Sequence, residues 1–173
     1  MSGLKVATDL IVLMPVYEDR RSASKLMQQL SQTLGGRCYV IVVEDGSVDD
    51  PVQIADITAA GVAGEVLYLA RNMGHQRAIA TGLTYIAATF EPVAVVVMDS
   101  DGEDRPDSVP SLLAELRTGK VDAVVARRAR RSETIGFRLF YYFYRFIFQI
   151  LTGRTIRFGN FTALSPVGVR RLA

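Results

Sequence analysis

The chain has 173 residues, 49% of them hydrophobic, with a mean hydropathy of +0.20 and a formal net charge of +2. That length suits one domain with a sizeable core. The single cysteine, Cys38, excludes an internal disulfide and fits a reducing compartment, and one histidine beside it argues against a zinc site. No run of roughly 18 uncharged apolar residues occurs, so no membrane span is expected, and the N-terminus enters strand material without a charged-then-apolar export leader.

In chain order, Leu10 to Met14 reads as a buried strand ended by Pro15. Residues 19–34 follow a helical spacing that Gly35 and Gly36 stop. Cys38 opens a second strand, Tyr39 to Val43, and is expected to be a small core residue. After Glu44-Asp45-Gly46-Ser47, the run Asp49-Asp50-Pro51 is expected to open a helix reaching Ala60. Val66 to Ala70 reads as a strand, Arg71 to Gly74 as a loop, and His75 to Ala88 as a helix. A strand then ends at Asp99, a helix follows from Asp107 to Arg117, and Val121 to Ala126 is a last strand. Strands alternating with helices imply an α/β fold, with a mostly parallel central sheet and helices on both faces. No repeat or linker divides the chain, so residues 1–173 are expected to form one domain.

The densest chemistry lies in Asp99-Ser100-Asp101-Gly102-Glu103-Asp104, where an apolar strand stops at a cluster of acids. Open α/β sheets bind ligands at the carboxyl ends of their strands. Carboxylates two residues apart repel unless a cation lies between them. A hard divalent ion such as Mg²⁺ or Mn²⁺ meets that need and shares itself with substrate phosphates. The bland reading is an acidic loop capping the next helix. Two further strand ends carry polar clusters, Pro15 to Asp19 and Glu44 to Ser47. Tyr17 offers a ring for stacking on a base, and Asp45 offers an acceptor to base N–H groups. The glycine-rich dinucleotide and phosphate-loop motifs are absent after the first strand.

The segments L-M-P-V-Y-E-D, V-I-V-V-E-D-G-S-V-D-D, L-A-R-N-M-G-H-Q-R-A-I-A-T-G-L and V-V-V-M-D-S-D-G-E-D-R-P occur in the order and spacing of family 2 glycosyltransferases. Over about residues 8–165 the chain resembles the polyprenyl-phosphate (dolichol-phosphate) mannose and glucose synthases. The resemblance implies a GT-A nucleotide-diphospho-sugar transferase fold and a metal-dependent inverting transfer from a UDP- or GDP-sugar to a polyprenyl phosphate. It implies that Pro15, Tyr17, Asp19, Val43, Asp45, Arg71 and Ser100 bind the nucleotide-sugar. It places Mg²⁺ or Mn²⁺ on Asp99 and Asp101, with Glu103 where a Gln usually stands. Asp99, Asp101 and Arg127 would serve catalysis, with Arg127 facing the diphosphate. His75 falls in the pattern R-N-x-G-H-Q, which suggests a structural or donor-side loop, and Asn160 falls near an acceptor-side loop. Three motifs depart from the family, at Glu18-Asp19, Glu44 and Glu103, and members usually continue beyond the position of Ala173. The same fold also serves saccharide or protein acceptors, and a non-catalytic homologue would bind nucleotide-sugar or lipid without turnover.

Residues 127–157 hold eight arginines (Arg127, Arg128, Arg130, Arg131, Arg138, Arg145, Arg154 and Arg157) and one acid, Glu133. The rest of the chain is acidic. Residues 137–148 contain eight of the fifteen Phe and Tyr. Such a basic aromatic segment suits the headgroup layer of a bilayer, with an oligomer interface through 136–153 as the alternative. Nucleic acid is not expected, because the acidic sheet edge repels phosphates. The expected location is the cytoplasmic face of the inner or plasma membrane.

Overall fold

A computed structural model describes residues 6–126 and 161–173. The arginine-rich aromatic block, Arg127 and Asn160 lie outside the described residues. Six strands form one sheet: β1 (Val6–Val16), β2 (Tyr39–Glu44), β3 (Ala63–Tyr68), β4 (Phe90–Val97), β5 (Ala123–Val125) and β6 (Thr162–Leu164). Among the described residues five α-helices accompany them: α1 (Arg20–Leu34), α2 (Ile54–Ala59), α3 (His75–Thr89), α4 (Val109–Leu116) and α5 (Pro166–Leu172). The sheet order is β3-β2-β1-β4-β6-β5. The first four strands run parallel, and β6 is antiparallel to both β4 and β5.

Both faces of the sheet are covered, as apolar runs without alternation require. On one face Ile11, Leu13, Ile41, Val43, Val95, Val97 and Leu164 pack against Ala78, Leu83 and Ile86 of α3 and Val169 of α5. The alternate residues Leu10, Val12, Met14, Val40, Val42 and Val96 are buried on the other face. There α1 presents Ala23, Leu26, Met27 and Leu30, at helical spacing, and α4 presents Val109, Leu112 and Leu116. Each fully buried Leu, Ile or Val contributes about 1.5–3 kcal/mol. Cys38 is buried, as expected of a core residue, and burial pushes its thiol pKa up.

The structure corrects the expected elements at four points. Pro15 does not end β1 but sits within it, opposite Val43. Pairing with β4 stops at Leu13↔Val97, with Met98 N–H donating to the Leu13 carbonyl at 3.0 Å. Beyond that level no further β1–β4 pair forms among the described residues, so the missing N–H of Pro15 costs no ladder bond. The helix expected from Asp49 begins at Ile54, because the amides of Val48 to Asp50 are drawn to Glu18. The third strand spans Ala63–Tyr68, earlier than Val66 to Ala70. Finally, the three-residue strand β6 had no signal in the sequence, yet it fills the gap between β4 and β5.

Gly82 lets α3 lie close to the sheet. A Cβ there would sit 2.4 Å from Leu13 Cδ1 and 2.9 Å from Val43 Cγ2. Gly82→Val is expected to destabilise the fold by about 1–3 kcal/mol through overpacking, measured as a lowered denaturant midpoint. Unchanged stability would refute the close packing.

Candidate active site

The carboxyl ends of β2, β1 and β4 lie side by side, and each ladder continues to the first residue past its strand. Asp45 N–H donates to the Val16 carbonyl at 2.8 Å and Leu69 N–H to the Glu44 carbonyl at 2.9 Å. The register Leu13↔Val97 puts Asp99 level with Pro15. Residues far apart in sequence therefore meet at one edge, on the side where the strand order reverses direction at β1.

At the β1 end, Tyr17 is 50% exposed, so its ring is open to solvent. Glu18 follows with φ of 50°, a left-handed conformation unusual for a residue with a side chain. Its carboxylate accepts from the amides of Val48 at 2.5 Å, Asp49 at 3.3 Å and Asp50 at 3.4 Å. The Val48 hydrogen bond, joined by those of Asp49 and Asp50, holds the Glu18 carboxyl below its ordinary pKa despite partial desolvation and the nearby Asp50 charge. Glu18 N–H donates to Ser47 Oγ at 2.7 Å, and Ser47 Oγ donates to the buried Glu44. The other Glu44 oxygen accepts from Val52 N–H at 2.7 Å. Asp19 caps α1, accepting from Ser22 N–H at 3.4 Å. Arg20 then forks onto Asp56 at 2.8 and 2.9 Å and reaches Asp50 at 3.0 Å. These contacts brace the 44–56 loop against the start of α1.

Asp45, only 2% exposed, has both oxygens engaged. Oδ1 accepts from Met73 N–H at 2.7 Å and Oδ2 from Gly74 N–H at 2.9 Å. Beside it, a Cβ on Gly46 (φ 75°) would stand 2.4 Å from the Arg71 carbonyl carbon and 2.5 Å from Asn72 N. Asp45 and Gly46 therefore seat the 71–74 loop, which carries the exposed Arg71, onto the end of β2. Gly74, with φ of 90°, precedes α3, and His75 is the first residue of that helix. Its Nε2 lies 3.3 Å from Oδ1 of Asp99.

Past β4, Asp99 retains 17% side-chain exposure, and its N–H donates to Asp104 Oδ2 at 2.9 Å. Asp104 is buried, Ser100 is nearly so, and Gly102 takes φ of 81°. Asp101 is exposed, and its Oδ1 accepts from Glu103 N–H at 2.8 Å. Among the described residues no three His, Cys, Asp or Glu side chains converge as a complete ligand set. The expected trio of Asp99, Asp101 and Glu103 is thus not gathered into one cluster, since the loop spends Asp101 on the Glu103 amide. Two hard carboxylates still suit Mg²⁺ or Mn²⁺, ions that take one or two protein carboxylates and fill their shell with water and phosphate oxygens.

Pro15, Tyr17, Val43, Asp45, Arg71, Asp99, Ser100 and Asp101 are therefore brought to one edge. Pro15 and Val43 are buried there, and Asp19 serves as a helix cap beside it. Glu103 belongs to the same loop as Asp101. Arg127 lies outside the described residues. The sequence did not single out Asp104 as the carboxylate that shapes the 99–104 turn, or His75 as the neighbour of Asp99. The prior signals for His75 were its place at a loop-to-helix junction and in the R-N-x-G-H-Q pattern.

The model of glycosyl transferase family 2 matches residues 11–169. The chain belongs to that family. Among the curated relatives is undecaprenyl-phosphate 4-deoxy-4-formamido-L-arabinose transferase of Klebsiella pneumoniae, 27% identical over 72% of this chain and 38% of its own length. Another is dodecaprenyl-phosphate galacturonate synthase of Rhizobium johnstonii, 25% identical over 75% of this chain and 39% of its own length. The chain thus spans about two fifths of the length of these relatives. Glucosyl-3-phosphoglycerate synthase of Mycobacterium tuberculosis, solved with Mn²⁺, UDP-glucose and phosphoglyceric acid, superposes with a TM-score of 0.66 at 21% identity. That match covers 92% of this chain and 57% of the other, and it establishes a GT-A-like fold for this family 2 chain. No helix among the described residues is long and apolar enough to cross a membrane.

Two outcomes follow from this geometry. Asp45→Asn keeps one acceptor oxygen and turns an NH₂ toward the second amide. It is expected to cost about 1–3 kcal/mol, as a buried unsatisfied donor does, and to speed hydrogen exchange at Met73 and Gly74; unchanged exchange would refute the clamp. A depressed folded-state pKa at Glu18 stabilises the fold above the ordinary value near 4.5, and that stability is lost as pH falls through the lower folded value. The stability gap between wild type and Glu18→Gln is therefore expected to be full at neutral pH and to close under acid, read by thermal melts across pH. A gap independent of pH would contradict it.

Proposed function

We propose that this chain forms the donor-binding part of a metal-dependent inverting glycosyltransferase that transfers one sugar from a UDP- or GDP-sugar to a polyprenyl phosphate. The observation that carries this reading is the convergence, at one sheet edge, of an exposed ring (Tyr17), a cation-bearing loop held by Asp45, and the carboxylates Asp99 and Asp101. A nucleoside diphosphate needs those three things in a row: a stacking surface, a positive charge for the diphosphate and a carboxylate pair for an ion. The relatives named for undecaprenyl and dodecaprenyl phosphate support the acceptor class. The Mycobacterium tuberculosis enzyme, solved with Mn²⁺ and UDP-glucose, supports a divalent ion.

In this reading Asp99 and Asp101 hold the ion, with Glu103 adjacent, and Ser100 lies between them. Bound there, a divalent cation neutralises charge that builds on the departing diphosphate. Tyr17 stacks on the base, while Pro15, Val43 and Asp45 border it and Asp19 closes the near side. Arg71 approaches the diphosphate from the 71–74 loop, and Arg127 adds a second cation. The acceptor phosphate is already an anionic nucleophile at neutral pH. The protein's task is therefore alignment and charge neutralisation, with no strong general base. The arginines and rings of 127–157 suit an anionic lipid surface, which sets the reaction at the cytoplasmic face of a membrane.

Calorimetric titration with UDP and GDP, in Mn²⁺ and in EDTA, tests the reading. Metal-dependent binding of one nucleotide is expected, and no binding of either would sink it. With a lipid-phosphate acceptor, Asp101→Asn is expected to lower turnover roughly 100-fold or more. An unchanged rate would remove Asp101 from the mechanism.

A further inference from the structure

We infer that Asp104 is a positioning residue: its buried carboxylate clasps the 99–104 turn and holds the backbone of Asp99 in place before any ion arrives. The inference rests on the reading proposed above. The chain is fixed on both sides of this turn. Before it, Met98 is fully buried and its N–H donates to the Leu13 carbonyl at 3.0 Å. After it, Pro106 is buried at the head of a short 3₁₀ turn (Pro106–Ser108), and Val109 at the start of α4 is fully buried. Between these anchors Gly102, with φ of 81°, takes the left-handed conformation. Asp104, 2% exposed, bridges the span: its Oδ2 accepts from Asp99 N–H at 2.9 Å, five residues back. Inside the same span Asp101 Oδ1 accepts from Glu103 N–H at 2.8 Å. The bridging carboxylate is buried, while Asp99 keeps 17% of its side chain exposed and Asp101 is exposed.

Carboxylates crowded at positions 99, 101, 103 and 104 repel one another. A slack turn would relieve that repulsion by spreading, and a spread turn gives up the bond between Asp104 and the Asp99 amide. Losing it leaves a buried carboxylate short of a donor, which is costly. The clasp therefore opposes the repulsion and presents the exposed acids from a preset backbone. An ion that meets a preset site is spared the cost of ordering it, and groups that orient metal ligands raise affinity in this way. Asp104 acts on the ion through the Asp99 backbone, with its own carboxylate committed to an amide.

The test measures free Mn²⁺ by electron paramagnetic resonance over this chain, with and without UDP, for wild type, Asp104→Ala and Asp104→Asn. Circular dichroism verifies that each variant is folded. Alanine offers the Asp99 amide no acceptor, and asparagine offers one without the charge. Asp104→Ala is expected to weaken Mn²⁺ binding roughly 10-fold to 100-fold, and Asp104→Asn to restore most of it. Hydrogen exchange at the Asp99 amide is expected to speed up in the alanine variant while exchange at Met73 and Gly74 stays unchanged, which a general structural defect would not allow. Wild type supplies a check that needs no variant: the Asp99 amide is expected to be as protected in EDTA as in Mg²⁺. Protection that appears only with Mg²⁺ would overturn the inference, since the ion would then be making the turn. If wild type takes up Mn²⁺ and Asp104→Ala takes it up equally well, the inference falls and the proposed function stands. Equal loss in the alanine and asparagine variants overturns it as well, because charge and not the clasp would then set the affinity. If wild type takes up no Mn²⁺ with or without UDP, the metal-dependent function fails and this inference fails with it.

Discussion

Asp45 keeps 2% of its surface exposed, and both of its oxygens serve amides that lie 28 and 29 residues further along the chain. A buried carboxylate is tolerated only where hydrogen bonds replace its lost water, and here the replacement comes from loop backbone. The arrangement therefore works in both directions. The loop supplies the donors that let Asp45 be buried, and Asp45 in turn anchors the loop at this edge. Gly46 removes the steric obstacle to that approach. The 71–74 loop, and with it the start of α3 at His75, takes its place from this contact.

The acids of the site divide into two groups. Glu44, Asp45 and Asp104 are buried and accept from backbone amides or a hydroxyl of the loops at this edge, Asp45 from a loop 28 and 29 residues further on. Asp101 and Glu103 remain exposed, and Asp99 lies between the two conditions. Sequence alone presents all six as similar carboxylates beside apolar runs. Burial separates them, and burial follows from which amides happen to point inward at each strand end. The buried group builds the walls, and the exposed group faces solvent.

Much of the architecture could be read from the chain because its signals were local. Apolar runs of five or six residues at β1, β2 and β4 declared strands buried on both faces, and the 3.6-residue spacing of α1 and α3 declared helices. The convergence of Pro15, Asp45 and Asp99 followed from the parallel order. What escaped was long-range. Thr162 to Leu164 is too short to show a period, and only its partners in β4 and β5 make it a strand. Asp49 and Pro51 looked like a helix start, but Glu18, thirty residues earlier, claimed the amides that such a helix would have used. The pairing of His75 with Asp99 spans a helix and a strand, and no spacing rule reaches that far.

The placement of β6 has a consequence for how this fold can diversify. β5 ends at Val125 and β6 begins at Thr162, and these two residues face each other directly in the ladder. Whatever lies between them is closed at its base by a paired rung. Lengthening such a closed excursion is inexpensive in chain entropy, about 0.6 kcal/mol for each doubling. A change in the number of residues between β5 and β6 therefore costs the six-strand register little in chain entropy.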